Sequence, residues 1–216
     1  MKKIAMLHTS SATLAVMQQL IGDIMPEAEV MHLVEESMIK QVMKAGGVTP
    51  DIAARIADYI RIAEKADCDI FITACSSIGT AVEQCQFMTS VQLARIDCAM
   101  VDEAINKGEH IAVLATVATT LKPTLDFVRR KVQESGKQRI ITPVLMEEAF
   151  HALLNGDMGT HDRIVSEGLQ KAFGQADVIM LAQASMARVL QNMPEPPVPV
   201  LTSPESGIRW LKTFAS

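Results

Sequence analysis

Aromatic side chains are scarce in this chain of 216 residues: one Trp, one Tyr and six Phe, 4% in all. Little is left for stacking on bases or sugar rings, so the core must be assembled from Ile, Val, Leu, Met and Ala. Excess positive charge is missing as well. The formal charge is -5 and Lys and Arg form no run longer than Arg129-Arg130-Lys131, which leaves no electrostatic footprint for a nucleic-acid partner. Long apolar stretches are also absent. Ile4 to Leu7, after Lys2-Lys3, is too brief for a signal-peptide core or a membrane span, so a cytoplasmic protein without a membrane partner is expected. The four cysteines, at positions 68, 75, 85 and 98, show no CxxC spacing, and the five histidines pair with no second ligand at metal-site spacing. Reduced thiols and no metal site are expected. Neither GxGxxG nor a Walker lysine follows any strand, so a nucleotide cofactor has no support.

What is present is ordinary globular material, 49% apolar and 21% charged. Short β-type runs alternate with helical periods: 3–7, 29–33, 70–73, 91–96, 111–114, 139–143, 178–181 and 198–201 read as strands. Between them, 14–25, 77–87, 100–106, 123–135, 146–154, 161–173 and 206–214 read as helices. Thr49 reads as an N-cap with Pro50 at the first helical position, followed by an apolar stripe of Ile52, Ile56, Ile60 and Ala63. This alternation predicts an α/β fold with mainly parallel sheets flanked by helices.

An internal repeat divides the chain. IAMLHTSSATL from Ile4 matches IAVLATVATTL from Ile111, an offset of 107, and DIFITACSSI from Asp69 matches DVIMLAQASM from Asp177, an offset of 108. A period near half the chain length is far longer than that of a solenoid, roughly 20–50 residues. It predicts two pseudo-symmetric lobes, 1–107 and 108–216, with a C-terminal helix at 206–216 able to pack back on the first. Each strand match carries the expectation of the same small-hydroxyl turn and the same helix after it. Ligands of open parallel sheets collect beyond the carboxyl ends of the strands, so an active-site cleft between the lobes is expected. Gly46-Gly47 reads as a flexible loop able to cover it.

The turn Thr73-Ala74-Cys75-Ser76-Ser77 places a thiol where a strand ends and a helix begins. A helix N-terminus favours an anion, and the thiolate is the form of cysteine that attacks or abstracts protons. Asp97 at a strand end and Glu83 on the following helix are further candidates, each equally able to serve as a cap or a solvated face.

Two similar lobes, the TACSS turn, the RID at Arg95–Asp97 and ATVATT at Ala115–Thr120 together resemble the aspartate/glutamate/hydantoin racemase superfamily over nearly the whole chain. The resemblance implies a cofactor-independent isomerase, commonly a homodimer or higher homo-oligomer. In such enzymes one cysteine per lobe removes and returns a proton next to a carboxylate, without pyridoxal phosphate. It further implies that Thr9, Ser10, Ser11, Ser76, Ser77, Thr116, Thr119 and Thr120 supply donors to a small carboxylate or hydroxy-carbonyl substrate.

The sequence departs from that pattern where the repeat sets Gln183 opposite Cys75. An amide is no base, although it can donate to an oxyanion. Ser185 as a proton relay, His8 as a second acid/base, or chemistry on one face only would replace the missing thiol. The leading expectation is a racemase or epimerase with Cys75 as base. A decarboxylase of the same fold needs one thiol but is similar to enzymes carrying it in the other lobe, and a noncatalytic small-acid-binding protein is the third reading.

Overall fold

A computed structural model describes residues 2–215. The chain forms two compact units: Met1–Cys98 with Pro204–Ser216, and Ala99–Ser203.

The first unit builds a parallel sheet from β1 (Ile4–His8), β2 (Val30–Val34), β3 (Ile70–Thr73) and β4 (Gln92–Arg95), in the order β2-β1-β3-β4. Its helices are α1 (Ser11–Ile24), α2 (Glu36–Ala45), α3 (Pro50–Lys65) and α4 (Ser76–Gln84). The C-terminal helix Ser203–Ala215, α9 in chain order, joins them. Side chains alternate along a strand, and both faces of this sheet are buried, as parallel sheets require. Ala5, Leu7 and Phe71 pack with Met38, Val42, Ile52, Ile56 and Ile60, so α2 and α3 cover one face. Ile4, Met6, Ile70 and Ile72 pack with Met17, Ile21, Ile208 and Leu211, so α1 and α9 cover the other. Gly207 lets α9 sit close: a Cβ there would collide with the Ile96 carbonyl. Thr49 and Pro50 open α3 as read from sequence. Gly46 ends α2 in the left-handed region at φ 73°, so this glycine terminates a helix.

The second unit repeats the plan. After α5 (Cys98–Lys107) come β5 (His110–Ala115), α6 (Ala118–Ser135), β6 (Ile140–Leu145), α7 (Glu147–Leu154), α8 (Met158–Phe173), β7 (Val178–Leu181) and β8 (Val200–Thr202). The strands are parallel in the order β6-β5-β7-β8, the same as in the first unit. The repeat extends to a detail at the foot of each sheet. Asp69 Oδ2 accepts the Lys3 amide at 2.7 Å, and Asp177 Oδ2 accepts the His110 amide at 2.9 Å.

The structure differs from the sequence expectation at two helices. Segment Ala184–Asn192 after β7 is a 3₁₀ turn series, where an α-helix like α4 was expected; the prolines at 194, 196, 197 and 199 stop any extension. Helix α6 starts at Ala118, before Pro123, which the sequence suggests as a helix start and which lies inside the helix.

Strand β6 is an edge strand whose residues are exposed or half-buried on both faces, with Ile140 56% and Leu145 40% exposed. The Ile140 amide donates to Glu109 and the Met146 amide to Ala115. Even-numbered positions therefore aim their amides at β5, and Pro143 falls on the outward set, where its missing N–H costs the sheet nothing.

Candidate active site

In both sheets the strand order reverses beside the first strand, between β1 and β3 and between β5 and β7. Ligands of open α/β sheets collect at such switch points. In the first unit the carboxyl ends there carry His8 and Thr9 on one side and Cys75 on the other.

Cys75 is the N-cap of α4, in extended backbone at φ -130°, ψ 111°, and its side chain makes no capping bond. The turn is fixed from below: Thr73 Oγ1 accepts the Cys75 amide at 3.1 Å, and the Ala74 amide donates to Leu7 at 2.9 Å. The thiol is half-buried beside the first turn of an α-helix, whose leading amides lack intrahelical partners. Ser76 and Ser77 follow it, both buried. All four cysteines are thiols. Cys68 and Cys85 are buried, and burial pushes both thiols up, which keeps them protonated and inert.

His8 is fully buried. Its Nε2 lies 2.9 Å from His32 Nδ1 and its Nδ1 lies 3.2 Å from Thr13 Oγ1, so both ring nitrogens are engaged within the first unit. Burial, and then the neighbouring His32, lower its pKa to about 4. Such an imidazole is neutral at pH 7 and a weak base, poorly matched to the second acid/base role read from sequence. His32, on β2, was not singled out in the sequence, because only the pairing of β1 with β2 brings it to His8.

The serines after β1 are used locally. Ser10 caps α1, accepting the Ala12 amide at 3.3 Å. Ser11 donates its hydroxyl and its amide to Glu36 Oε1 at 2.6 and 2.9 Å, and these bonds, the hydroxyl first, hold the Glu36 carboxyl below its ordinary range. Glu36 was likewise missed; its place directly after β2 is the one signal the sequence offers. Thr9 is buried at the switch point.

At the corresponding place in the second unit, Gln183 has nearly the backbone of Cys75, φ -133°, ψ 138°. Its Oε1 accepts the Thr116 amide at 2.6 Å and the Thr116 hydroxyl at 3.0 Å. The chain's own amide oxygen thus fills an oxygen-binding seat at that strand end. Ser185, half-buried, lies in the 3₁₀ segment. Thr119 and Thr120 open α6, which has no side-chain cap; the Thr119 hydroxyl is buried without a partner, and Thr120 is buried.

Asp97 and Glu83 both attend Arg95. Its Nε and Nη2 donate to Asp97 Oδ1 and Oδ2, each at 2.8 Å, and Nη1 lies 3.5 Å from Glu83 Oε2. Among the described residues no group of three His, Cys, Asp or Glu could hold a metal ion, and no helix is long and apolar enough to cross a membrane.

The model of the family described as Asp/Glu/Hydantoin racemase matches residues 4–211. Among the solved structures that share the fold are three racemase-type proteins. An aspartate racemase homologue from Pyrococcus horikoshii OT3 superposes with TM-score 0.74 at 17% identity, covering 100% of this chain and 99% of that one. Glutamate racemase from Aquifex pyrophilus gives 0.69 at 18%, covering 98% and 83%. Allantoin racemase from Klebsiella pneumoniae gives 0.68 at 14%, covering 100% and 88%. No curated protein matches the sequence.

Proposed function

We propose, since this chain belongs to the Asp/Glu/hydantoin racemase family, that it is a cofactor-independent isomerase of the racemase or epimerase type with Cys75 as its catalytic base. Family and fold support racemase-type chemistry in general. The observation that carries the finer reading is the placement of Cys75: a half-buried thiol at a switch-point strand end, at the head of an α-helix, spent on no capping bond.

In this reading the Cys75 thiolate takes the proton from the carbon next to a carboxylate or carbonyl of a small acid or hydroxy-carbonyl compound. The C–H electron pair moves into that group as an enolate, and its oxygen needs donors already in place. Thr9 and the first turn of α4, with Ser76 and Ser77, are the donors assigned to it in the first unit. Thr119 and Thr120 are those of the second, where Gln183 already holds the Thr116 amide and hydroxyl. Gln183 contributes a neutral amide and no base, so the chain has one thiol base; Ser185 is the residue assigned to relay a proton, and His8 anchors β1 to β2. The protein acts as a homodimer or higher homo-oligomer in the cytoplasm.

The test is exchange of the substrate's α-hydrogen for deuterium in heavy water, across a panel of amino acids, hydroxy acids and hydroxy-carbonyl compounds. Exchange by the native protein that disappears in Cys75→Ser supports the assignment. Exchange that survives the substitution, or none with any compound, rejects it.

A further inference from the structure

Arg95 ends an edge strand, yet it is 2% exposed. A buried guanidinium is tolerated only when paired and hydrogen-bonded, and Asp97, itself fully buried, supplies a two-pronged partner. Burial alone would lower the Arg95 pKa, but the Asp97 and Glu83 carboxylates together outweigh it and hold the group charged.

The fold does not demand this pair. Arg95 pairs in register with Thr73, and Thr202 pairs with Leu181, so the repeat sets Thr202 in the place of Arg95. The second unit completes the same strand order with no cation there. The units differ in one further respect. An α-helix follows Cys75, whereas a 3₁₀ segment follows Gln183. The half that holds the thiol has both the arginine and the regular helix.

Gly79 connects these facts. It lies four residues beyond Cys75, and residues so spaced on a helix share a face. A Cβ on Gly79 would come 2.5 Å from Arg95 Nε and 2.6 Å from Cζ. The guanidinium therefore packs directly on the backbone of α4, one turn below the thiol, with Nη1 3.4 Å from Thr80 Oγ1.

We propose that Arg95, fixed by Asp97, is a positioning residue: pressed against Gly79, it sets the first turn of α4 and with it the direction in which Cys75 presents its sulfur. The inference rests on the reading of Cys75 as the base and names what aims that base. It assigns Arg95 no contact with substrate.

The experiment measures the rate of iodoacetamide alkylation at each cysteine of the native protein by mass spectrometry, as a function of pH. A merely structural role would leave the Cys75 rate of a folded variant unmoved. Arg95→Met and Gly79→Ala should each change the Cys75 rate by about tenfold or more, the scale on which small misplacements act. The rate at Cys98 should stay as in the native protein, and Arg95→Lys, which keeps the charge but loses the planar fork, should recover part of the effect. Should Arg95→Met fail to fold, Gly79→Ala decides, because it shifts the guanidinium without removing it. A folded Gly79→Ala with the native Cys75 rate overturns the proposal, as does a variant in which Cys75 and Cys98 accelerate together. Absence of deuterium exchange in the native protein would reject Cys75 as the base while leaving the alkylation result, and so the positioning, to be judged separately.

Discussion

Acid should weaken this protein through an identifiable buried imidazole. His8 has an ordinary pKa of 6.5 that burial and His32 depress to about 4 in the folded chain. Between those values the unfolded chain binds a proton at this site and the folded chain does not, so each fall in pH within the window favours unfolding. Above 6.5 the contribution is intact; below about 4 the folded state protonates too and no more is lost. The gap corresponds to at most about 3 kcal/mol, a large part of the roughly 5–15 kcal/mol that holds a domain together. Urea unfolding followed by circular dichroism at a series of pH values measures it. The comparison is His8→Ala, since the repeat places Ala115 at the same point of β5 and the strand accepts alanine there. Carboxylates titrate in both proteins, so the difference between the two pH profiles isolates His8 together with its hydrogen-bonded neighbour His32, which burial also pushes below its ordinary value. The native protein should lose stability more steeply across the window. Parallel profiles would refute the reasoning.

Two further outcomes follow from the packing of the first unit. Asp97→Asn leaves the Arg95 guanidinium buried without its carboxylate and should cost about 3–5 kcal/mol in chemical unfolding at neutral pH; a loss under about 1 kcal/mol, the scale of an exposed pair, would mean that the pair is not buried as described. Deleting residues 204–216 removes Ile208 and Leu211 from the β1 and β3 face where Ile4, Met6, Ile70 and Ile72 pack. The truncated chain should show a separate, earlier unfolding transition of the first unit, and an unchanged melting profile would show that α9 adds nothing to its core.

The central strands β1, β3, β5 and β7 were legible because both faces of the sheets are buried there, which leaves short, nearly unbroken apolar runs ending in small residues. The repeat of 107 to 108 residues foretold the shared strand order, since matched strands with matched turns fold alike. The helix boundary at α6 was misjudged because Pro123 is a strong local signal, and α6 absorbs it past its first turn. The 3₁₀ segment after β7 was hidden because ASM and SSI look alike as sequence while their surroundings differ. Cys75 and Gln183 could be singled out by position alone. What the sequence could not reveal was which hydroxyls are already engaged: Ser11 is held by Glu36 and Thr116 by Gln183 across distances in sequence that only the folded chain closes.

The strand Ile140–Leu145 reads IITPVL, six residues without a charge on the rim of a sheet. Uncharged β-prone hexamers of that kind are the segments from which fibrils grow when they meet their own copies. A single imino acid interrupts the row of outward donors at its middle, so a second copy laid alongside finds no continuous ladder to extend. Other changes at that rim should be tolerated better than the loss of Pro143, which would restore an unbroken row of donors.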